Sequence, residues 1–561
     1  YIQEKVHPKV LIDDLKRQTE RAQGTDAPQV DMFADFNGLP NEDAKTEFYA
    51  HDAHWANRMI LGDSLAVMAS LAEREGLRGK VQCIYFDPPY GIKFNSNFQW
   101  STTSRDVKDG NAEHITREPE QVKAFRDTWR DGLHSYLTYL RDRLTVARDL
   151  LADSGSIFVQ IGDENVHKVR SLLDEIFSEE NFVSLITLKK TGGQTTNLLS
   201  TVTDYVIWYA KSKPAIKYRQ PFLPMKVGEG KGTGERYSNV RYEDGSIGSW
   251  NKDETLPPNA KYARIDPLTS NRPAKEHERW PFVFKGIPYP AGAGRTWSTT
   301  MEGLIRLSRA GRVYSTGKQL SYVRCHDDFS ATPLGNLWED VAGKTGKIYV
   351  VQTFERIVER CFLMASDPGD LVLDPTCGSG TSAVVAEQWG RRWITIDTSR
   401  VALALARARV MGARFPYYLL ADSREGQLKE AEVSQSAPSS QPVRGSIRHG
   451  FVYERVPHIM LSSIAKNQEI DVIYEQHQVV MEPLREKLNN ALGMAWDEWE
   501  VPLYPDKKWP DIAKKAHTEW RRQYISRQRA LDASIAAKAE FEHLYDKPYE
   551  DKKKVRVAGP F

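Results

Sequence analysis

An acid, two prolines and a tyrosine directly follow an apolar run near the start of the sequence. The stretch "IYFDPPYGIKF" begins at Ile84 and contains this quartet as Asp87, Pro88, Pro89 and Tyr90. Proline can neither continue a sheet ladder nor enter a helix interior, so the quartet is predicted to form a stiff, extended turn. Stiff loops at strand ends often carry the chemistry of α/β sheets. The quartet is therefore a candidate site, with an ordinary proline-rich turn as the alternative.

A second stretch, "LVLDPTCGSGTSAVVAEQWGRRWITID", has the pattern strand, glycine loop, helix, strand. Asp374 ends the first strand, and Gly378 and Gly380 let the backbone approach a ligand closely. Asp397 ends the second strand, near the spacing at which an acid accepts hydrogen bonds from ribose hydroxyls. After Gly380 comes Thr381, with no third glycine for a diphosphate, and no phosphate-binding loop of the Walker type is apparent. A nucleoside without phosphates remains, and S-adenosylmethionine is the natural candidate.

The order of the two motifs, "DPPY" and much later "DPTCGSGT", resembles the β class of amino-methylating DNA methyltransferases. The match covers roughly residues 55–425 and includes "GDSL" and "GSIFVQIGDEN". The sequence is most similar in general pattern to the modification subunits of type III restriction-modification systems. The resemblance implies an α/β fold, a doubly wound, Rossmann-like class I methyltransferase sheet with an inserted target-recognition region and a helical C-terminal arm.

That resemblance also implies an activity. The expected reaction is transfer of a methyl group from S-adenosylmethionine to adenine N6 at specific DNA sites, with the target base flipped out of the duplex. Two alternatives stay open, namely cytosine-N4 methylation by the same chemistry and a non-catalytic DNA-recognition subunit. The expected partner is double-stranded DNA, with a separate restriction or helicase subunit and a homodimer as further possibilities. No metal is needed, because the positive sulfonium already activates the methyl group.

Residue roles follow from the resemblance. Asp87 and the Pro88 carbonyl would each accept one N–H of the target amine, Pro89 would stiffen the loop, and Tyr90 would stack on the base. The implied cofactor-binding residues are Asp63, Asp374, Thr376, Cys377, Gly378, Gly380, Thr381 and Asp397. For Asp63 the alternative is a helix N-cap, and Cys377 is expected to be a small buried residue rather than a nucleophile.

The sequence departs from the family pattern at three positions. The family usually has an aromatic residue where Thr376 stands, which bears on packing beside the cofactor. It commonly has Lys-Pro where Thr353 and Phe354 stand, which bears on the contact to the methionine carboxylate. Asp397 replaces the more usual glutamate, a tolerable shortening.

Strands alternating with helices on both sides of residues 212–336 predict a parallel, doubly wound sheet. The intervening segment, rich in Gly, Pro, aromatic and basic residues, is predicted to be a loop-rich insertion. Within it, Trp280, Trp297, Arg279 and Arg295 either read DNA or, for the aromatic residues, form a small core. The predicted division is an N-terminal extension (1–54), a catalytic half (55–211), the target-recognition insertion (212–336), a cofactor-binding half (337–425), a linker (426–445) and a mostly helical C-terminal region (446–561).

Composition sets outer limits on the type of protein. The 561 residues include 77 Lys and Arg against 75 Asp and Glu, so any DNA-binding basic surface must be local. Mean hydropathy is −0.54, and no apolar run approaches the ~20 residues of a transmembrane helix. Four scattered cysteines indicate neither a disulfide framework nor a zinc site. A cytoplasmic protein without a signal peptide, and a piece of a longer chain, is expected.

Overall fold

The computed structural model describes residues 45–49, 51, 55–90, 133–190, 199–228, 233–251, 255–272, 275, 280–341 and 353–561. The N-terminal extension (1–54), apart from 45–49 and 51, and residues 91–132 lie outside these ranges. The chain forms two compact units. The first comprises Tyr1–Pro221, Leu334–Glu454 and Tyr545–Phe561, and the second comprises Phe222–Pro333 and Arg455–Leu544.

An eight-stranded sheet forms the centre of the first unit. The spatial order of its strands, which are numbered along the chain, is β18 (Leu337–Trp338), β5 (Phe182–Lys189), β6 (Thr203–Ala210), β4 (Leu151–Gly162), β3 (Val81–Phe86), β19 (Leu371–Asp374), β20 (Arg392–Asp397) and β2 (Arg58–Leu61). All neighbours pair in parallel except β6, which runs antiparallel to both β4 and β5. The predicted parallel, doubly wound sheet is confirmed, with β6 as its one reversed strand. Side-chain alternation along a strand is the same in either direction, so it could not reveal the reversal.

Helices cover both faces of this sheet. They are α1 (Ser64–Glu73), α2 (Leu133–Leu150), α3 (Val166–Phe177), α5 (Glu355–Ala365), α6 (Thr381–Gln388) and α7 (Arg400–Gly412), and α8 (Arg424–Ser434) follows in the same unit. In β3, Ile84 and Phe86 pack in one apolar cluster with α1, α2 and α3, whereas Cys83 and Tyr85 pack in the other with α5 and α6. Every residue of β3 is buried, because the strand faces a helical layer on each side. The sheet is thus the middle of three layers.

A smaller sheet brings the end of the described chain into the first unit. Strand β24 (Glu550–Arg556) lies between β1 (Lys45–Glu47) and β21 (Phe415–Tyr418). Arg556 is buried and forms an ion pair with Glu387, 3.4 Å away. Residues 545–561 are therefore part of the first unit, which differs from the single C-terminal region predicted for 446–561.

The second unit combines the predicted insertion with the C-terminal helices. Its five-stranded antiparallel sheet has the order β15 (Val313–Ser315), β16 (Leu320–Cys325), β10 (Lys261–Pro267), β8 (Asn239–Arg241) and β9 (Ile247–Ser249). Shorter pairs are β7 (Phe222–Pro224) with β17 (Ala331–Pro333), β11 (Thr269–Ser270) with β14 (Thr296–Trp297), and β12 (Phe282–Phe284) with β13 (Ile287–Tyr289). Strand β22 (Tyr453–His458) pairs with β23 (Glu540–Pro548), and each of these strands has one end in the first unit. The helices of the second unit are α4 (Met301–Arg309), α9 (Leu461–Ala465), α10 (Glu469–Leu492) and α11 (Asp511–Ala537).

Ion pairs and a shared core hold the two segments of this unit together. Arg241, almost fully buried, pairs with Asp532 on α11 at 2.9 Å, and Arg306 on α4 pairs with Asp471 on α10 at 2.7 Å. Trp297 is buried in the core, where Trp280 packs beside it. The insertion is more regular than the predicted loop-rich segment. Strands of two to seven residues are too short to give a lasting period in the sequence.

Among the helices that the structure describes, none combines the length and the apolarity needed to cross a bilayer.

Candidate active site

Four aspartates lie at one edge of the central sheet. Asp87 directly follows β3, Asp374 ends β19, Asp397 ends β20, and Asp63 comes two residues after β2. Because these four strands are adjacent and parallel, their carboxyl ends meet at the same edge. The chain runs outward from β3 to β4 on one side and from β19 to β20 on the other. The edge between β3 and β19 is therefore a topological switch point, where open α/β sheets hold their ligands.

Asp87 is tied to the second motif by hydrogen bonds. Its backbone N–H donates to Oγ1 of Thr376 at 3.1 Å, and Oδ2 of its carboxylate accepts from the Thr353 hydroxyl at 2.7 Å. Thr376 in turn donates its N–H to Oδ1 of Asp374 at 2.8 Å. The structure thus brings the two sequence motifs into direct contact, although they lie almost 290 residues apart.

Burial raises the pKa of Asp87 to about 7. The hydrogen bond from Thr353 opposes this shift, while the negative charges of Asp374 and Asp204 add to it. Asp204 is the second residue of β6, the reversed strand, and lies opposite Gly162 at the end of β4. A carboxyl group with a pKa near neutrality in a crevice is a candidate for proton chemistry.

Tyr90 is held by one residue of β4 and one residue just after it. Its hydroxyl accepts from Nε2 of Gln160 at 2.7 Å, and its carbonyl accepts from Nδ2 of Asn165 at 2.8 Å. Gln160 also accepts a hydrogen bond from the Tyr85 hydroxyl. Pro88 is buried, while Pro89 and Tyr90 are half-buried. The quartet predicted from the sequence is thus a braced loop with one aromatic side chain partly accessible.

The glycine loop after β19 is held in shape by hydrogen bonds to Asp397 and by close packing at Gly380. Asp397 accepts the Gly378 N–H with Oδ2 and the Ser399 N–H with Oδ1, both at 2.8 Å. Gly380 adopts a φ of 76°, and a Cβ there would lie 2.7 Å from the Cβ of Ala406 on α7. Gly380 is therefore required both by its conformation and by close helix packing.

Burial raises the pKa values of both Asp374 and Asp397 to about 6. Backbone hydrogen bonds partly offset this in each case, and Ser382 contributes a further one to Asp374. Among the ion pairs of the described ranges, none includes either carboxylate. The two acids therefore form a buried, acceptor-rich wall without an internal cation, which favours a ligand that donates hydrogen bonds or carries positive charge.

The other predicted cofactor residues have protein partners. Asp63 caps α1 by accepting the Leu65 N–H at 2.8 Å, and it pairs with the buried Arg143 at 2.7 Å. The structure thus has the N-cap that the sequence left as the alternative. Cys377 is buried, and burial raises the pKa of its thiol, so it has the character of a packing residue rather than of a nucleophile. The Thr381 hydroxyl accepts from Arg409 at 3.1 Å.

Several site residues were missed by the sequence analysis. Gln160 and Asn165 lie in the quoted stretch "GSIFVQIGDEN", but nothing in their types showed that they would hold Tyr90. Asp204 and Arg143 come from a strand and a helix with no motif of their own, so only their position in the fold brings them to the site. Of the DNA-reading candidates, Trp297 is core, Arg295 is exposed, and Arg279 lies outside the described residues.

One group in the described chain has the ligand types for a metal ion, and it is in the second unit. Cys325, Asp327 and Asp328 lie close together there. Both oxygens of Asp328 accept from Arg312, at 2.7 and 2.8 Å. The guanidinium already compensates that carboxylate, so the group gives no metal site.

A comparison with protein families decides the identity of the first unit. The family model described as DNA methylase matches residues 81–408, which is more than half of the chain. The chain belongs to the DNA methylase family. It is a DNA methyltransferase, as the sequence predicted, and S-adenosylmethionine is the methyl donor of this family. The predicted class I methyltransferase sheet is confirmed with it.

This DNA methylase resembles both type II methyltransferases and type III modification subunits. It is 29% identical over 374 residues to the type II methyltransferase M.EcaI of Enterobacter cloacae, covering 64% of this chain and 70% of that protein. It is 25% identical over 392 residues to the StyLTI Mod subunit of Salmonella typhimurium, covering 64% of this chain and 55% of the subunit. It is 24% identical over 409 residues to the probable HindVI Mod subunit of Haemophilus influenzae, covering 63% of this chain and 50% of that subunit. The matches thus span only about half of each Mod subunit.

Solved structures of DNA methyltransferases resemble this methylase more distantly. The M1.HpyAVI–SAM complex has a TM-score of 0.29 and 13% identity, covering 62% of this chain and 97% of that chain. The cytosine-N4-specific PvuII DNA methyltransferase has a TM-score of 0.28 and 14% identity, covering 65% and 87%. At these values the likeness carries no argument about the site.

Proposed function

We propose that the protein methylates the N6 amino group of adenine at a specific DNA sequence, with Asp87 as the acceptor that positions the amine. The observation that carries the proposal is the contact between the two motifs. Oγ1 of Thr376, beside the glycine loop, accepts the Asp87 N–H at 3.1 Å. This contact supports an amine-binding carboxylate next to the place where a methyl donor would lie.

The residues of the first motif suit the chemistry of an aromatic amine. The lone pair of such an amine is delocalised into the ring, so it is a weak nucleophile until the nitrogen becomes pyramidal. Asp87 and the Pro88 carbonyl can each accept one N–H, which favours a lone pair directed away from them. The prolines hold both acceptors in place beforehand, which avoids reorganisation during the reaction. A carboxyl with a pKa of about 7 can then take up the proton that the methylated amine releases.

Tyr90 suits the role of a platform for the flipped base. Its ring hydroxyl accepts a hydrogen bond from Gln160 and its backbone carbonyl accepts one from Asn165, so little side-chain entropy is lost when a base stacks on the ring. Stacking of a base on an aromatic ring contributes roughly 1–3 kcal/mol. That contribution offsets much of the few kcal/mol that base flipping costs.

The second motif fits S-adenosylmethionine by its donor and acceptor set. When bound, this cofactor supplies an electrophilic methyl group. Asp397 offers acceptor sites for ribose hydroxyls beyond the two N–H groups it already binds. Asp374, whose pKa of about 6 leaves it ionised at neutral pH, offers negative charge to a cationic ligand. Gly378, with a φ of 52°, leaves room for close approach. In this proposal the glycine loop is shaped by Thr376, Cys377, Gly380 and Thr381. Asp63 does not bind the cofactor itself but holds the start of α1 in place by capping the helix and pairing with Arg143.

Adenine is favoured over cytosine by the residue at position 87. Cytosine-directed relatives more often carry serine there, and this chain has aspartate.

Target selection is assigned to the second unit, with double-stranded DNA as partner. Because the matched relatives include Mod subunits of type III systems, a separate restriction subunit is a further proposed partner.

The decisive experiment is methylation-aware sequencing of DNA from cells that carry the protein, compared with cells that carry Asp87→Ala. We expect one short sequence motif with N6-methyladenine in the first sample and none in the second. Purified Asp87→Ala should still bind S-adenosylmethionine, because Asp87 contacts the target amine. N4-methylcytosine at the motif would establish the alternative base. Unchanged methylation in the variant would remove Asp87 from the reaction.

A further inference from the structure

Two threonines contact Asp87, one at its backbone and one at its carboxylate. Thr353 donates its hydroxyl to the carboxylate at 2.7 Å, and Thr376 accepts the backbone N–H at 3.1 Å. Both occupy positions where the sequence departs from the family pattern. We propose that Thr353 and Thr376 are positioning residues that hold Asp87 ready for the target amine. This inference rests on the proposed function of Asp87.

Each threonine is itself held by a different element. Thr353 precedes Phe354, whose carbonyl accepts the Ile357 N–H at 3.0 Å at the start of α5 and whose ring packs on the buried core. Thr376 lies between β19 and α6, and both its N–H and its hydroxyl donate to Oδ1 of Asp374, at 2.8 and 3.2 Å. Asp87 is thus fixed by two independent anchors, which leave its loop little freedom.

The two contacts act on Asp87 in different ways. Thr376 binds the backbone, so it fixes where the loop lies without touching the charge. Thr353 binds Oδ2, and a donor on the ionised carboxylate stabilises that form. A carboxylate has about four acceptor sites on its two oxygens, so the Thr353 bond leaves capacity for an amine N–H. Thr353 therefore favours the ionised, accepting form of Asp87 while restricting its rotation.

Several other groups near Asp87 favour its protonated form, so the hydrogen bond from Thr353 is needed to keep the carboxylate ionised. Asp374 on β19 and Asp204 on β6 are negatively charged neighbours that favour the protonated form, and burial acts in the same direction. Tyr90 lowers the pKa of Asp87 through its hydroxyl, and Tyr85 beneath it is a neutral phenol whose own pKa burial raises. The nearby Lys190 pairs with Asp204 at 2.6 Å. Within this set, the hydrogen bond from Thr353 opposes protonation most strongly.

The test compares Thr353→Val, which keeps the shape and removes the donor, with Thr353→Ser, which keeps the donor. Turnover of target DNA is measured against pH at saturating S-adenosylmethionine. Loss of the hydrogen bond should raise the pKa of Asp87. The pH at which turnover rises to half its maximum should therefore be higher by about one pH unit in Thr353→Val. Thr353→Ser should match the wild type. Thr376→Val should lower turnover roughly tenfold at every pH. Without the Thr376 contact the loop that carries Asp87 is displaced, and ionising Asp87 does not return the loop to its place.

Two further measurements separate this inference from its alternatives. Thr145→Val, at an exposed helical position on α2, is the matched control and should leave the profile unchanged. Infrared difference spectra of ¹³C-aspartate-labelled protein, with Asp87→Asn as the reference, report the pKa of Asp87 without turnover. An unchanged pKa in Thr353→Val would overturn the inference, as would a loss of cofactor affinity with no change in the profile. An inactive wild type whose Asp87 still titrates higher in Thr353→Val would refute the proposed function alone.

Discussion

Gly162 lies so close to Tyr90 that a side chain there would press against the ring. A Cβ on Gly162 would be 3.0 Å from Cδ2 of the Tyr90 ring and 2.9 Å from a carboxylate oxygen of Glu164. The Glu164 side chain can rotate away, whereas the Tyr90 ring is held by the hydrogen bond from Gln160 to its hydroxyl. The end of β4 thus determines where the ring of the first motif stands.

Gly162→Ala should therefore disturb Tyr90 without disturbing the cofactor loop. We expect turnover to fall about tenfold, equivalent to about 1.4 kcal/mol, because the ring must move by a few tenths of an ångström. Affinity for S-adenosylmethionine, measured by calorimetry, should stay the same. Gly412→Ala is the matched control, since nothing lies within 4 Å of the added methyl group there. Equal turnover in both variants would show that the ring position does not matter.

Asp87→Asn should stabilise the fold at neutral and higher pH. In the folded protein the pKa of Asp87 is about 7, against an ordinary value of 3.8. Between these pH values the unfolded chain loses its proton while the folded one keeps it, so wild-type stability falls as pH rises and levels off above about 7. Asparagine has no such dependence. The melting temperature of the variant should exceed that of the wild type by more at pH 8 than at pH 4.5.

Asp153→Asn provides the control for this measurement, since Asp153 is an exposed aspartate on β4. Its melting temperature should follow the wild type across the whole pH range. A constant difference between Asp87→Asn and the wild type at all pH values would contradict the raised pKa.

Asp397→Ala should weaken S-adenosylmethionine binding by roughly 1.5–3 kcal/mol, which is the loss expected for hydrogen bonds to a charged acceptor. The wild-type affinity should itself rise as pH increases through about 6, because ionisation of Asp397 strengthens its acceptor character. Calorimetry at pH 5 and pH 7.5 measures both effects. An unchanged affinity in the variant at pH 7.5 would mean that the ribose is held elsewhere.

The first unit could be predicted well because its signals are local. The apolar run of β3, the glycine loop after Asp374 and the helical spacing of α2 each specify one element. The carboxyl-edge positions of Asp87, Asp374 and Asp397 then follow from parallel pairing. Their contacts could not be predicted in the same way. The hydrogen bond from Thr353 to Asp87 joins residues 266 positions apart, and no periodicity reports such a distance.

The second unit shows where sequence patterns fail. The buried Arg241 pairs with the half-buried Asp532, although the two come from segments that the sequence assigned to separate regions. The charged surface of α11 looks the same in sequence whether it faces solvent, DNA or another segment of the chain. Only packing shows that Leu531 and Ile535 complete the core of the insertion.

The division into units changes how target recognition should be tested. Replacing residues 212–336 alone would remove one half of a shared core and expose Leu531 and Ile535. Excising both Phe222–Pro333 and Arg455–Leu544 removes a whole unit instead. The new junctions are short, because the Leu334 N–H donates to the Pro221 carbonyl at 2.9 Å. Tyr453 and Tyr545 beside the second junction have ring centroids 5.1 Å apart.

The double excision, joined by short glycine-serine linkers, should bind S-adenosylmethionine like the wild type because β24 and Arg556 stay in place. It should no longer select a DNA site, since the proposed recognition surface is gone. The single excision of Phe222–Pro333 should aggregate, because it leaves apolar core residues of α11 uncovered. Calorimetry, light scattering and methylome sequencing distinguish the three proteins. If the double excision still methylated the original motif, recognition would lie in the first unit or in a partner subunit.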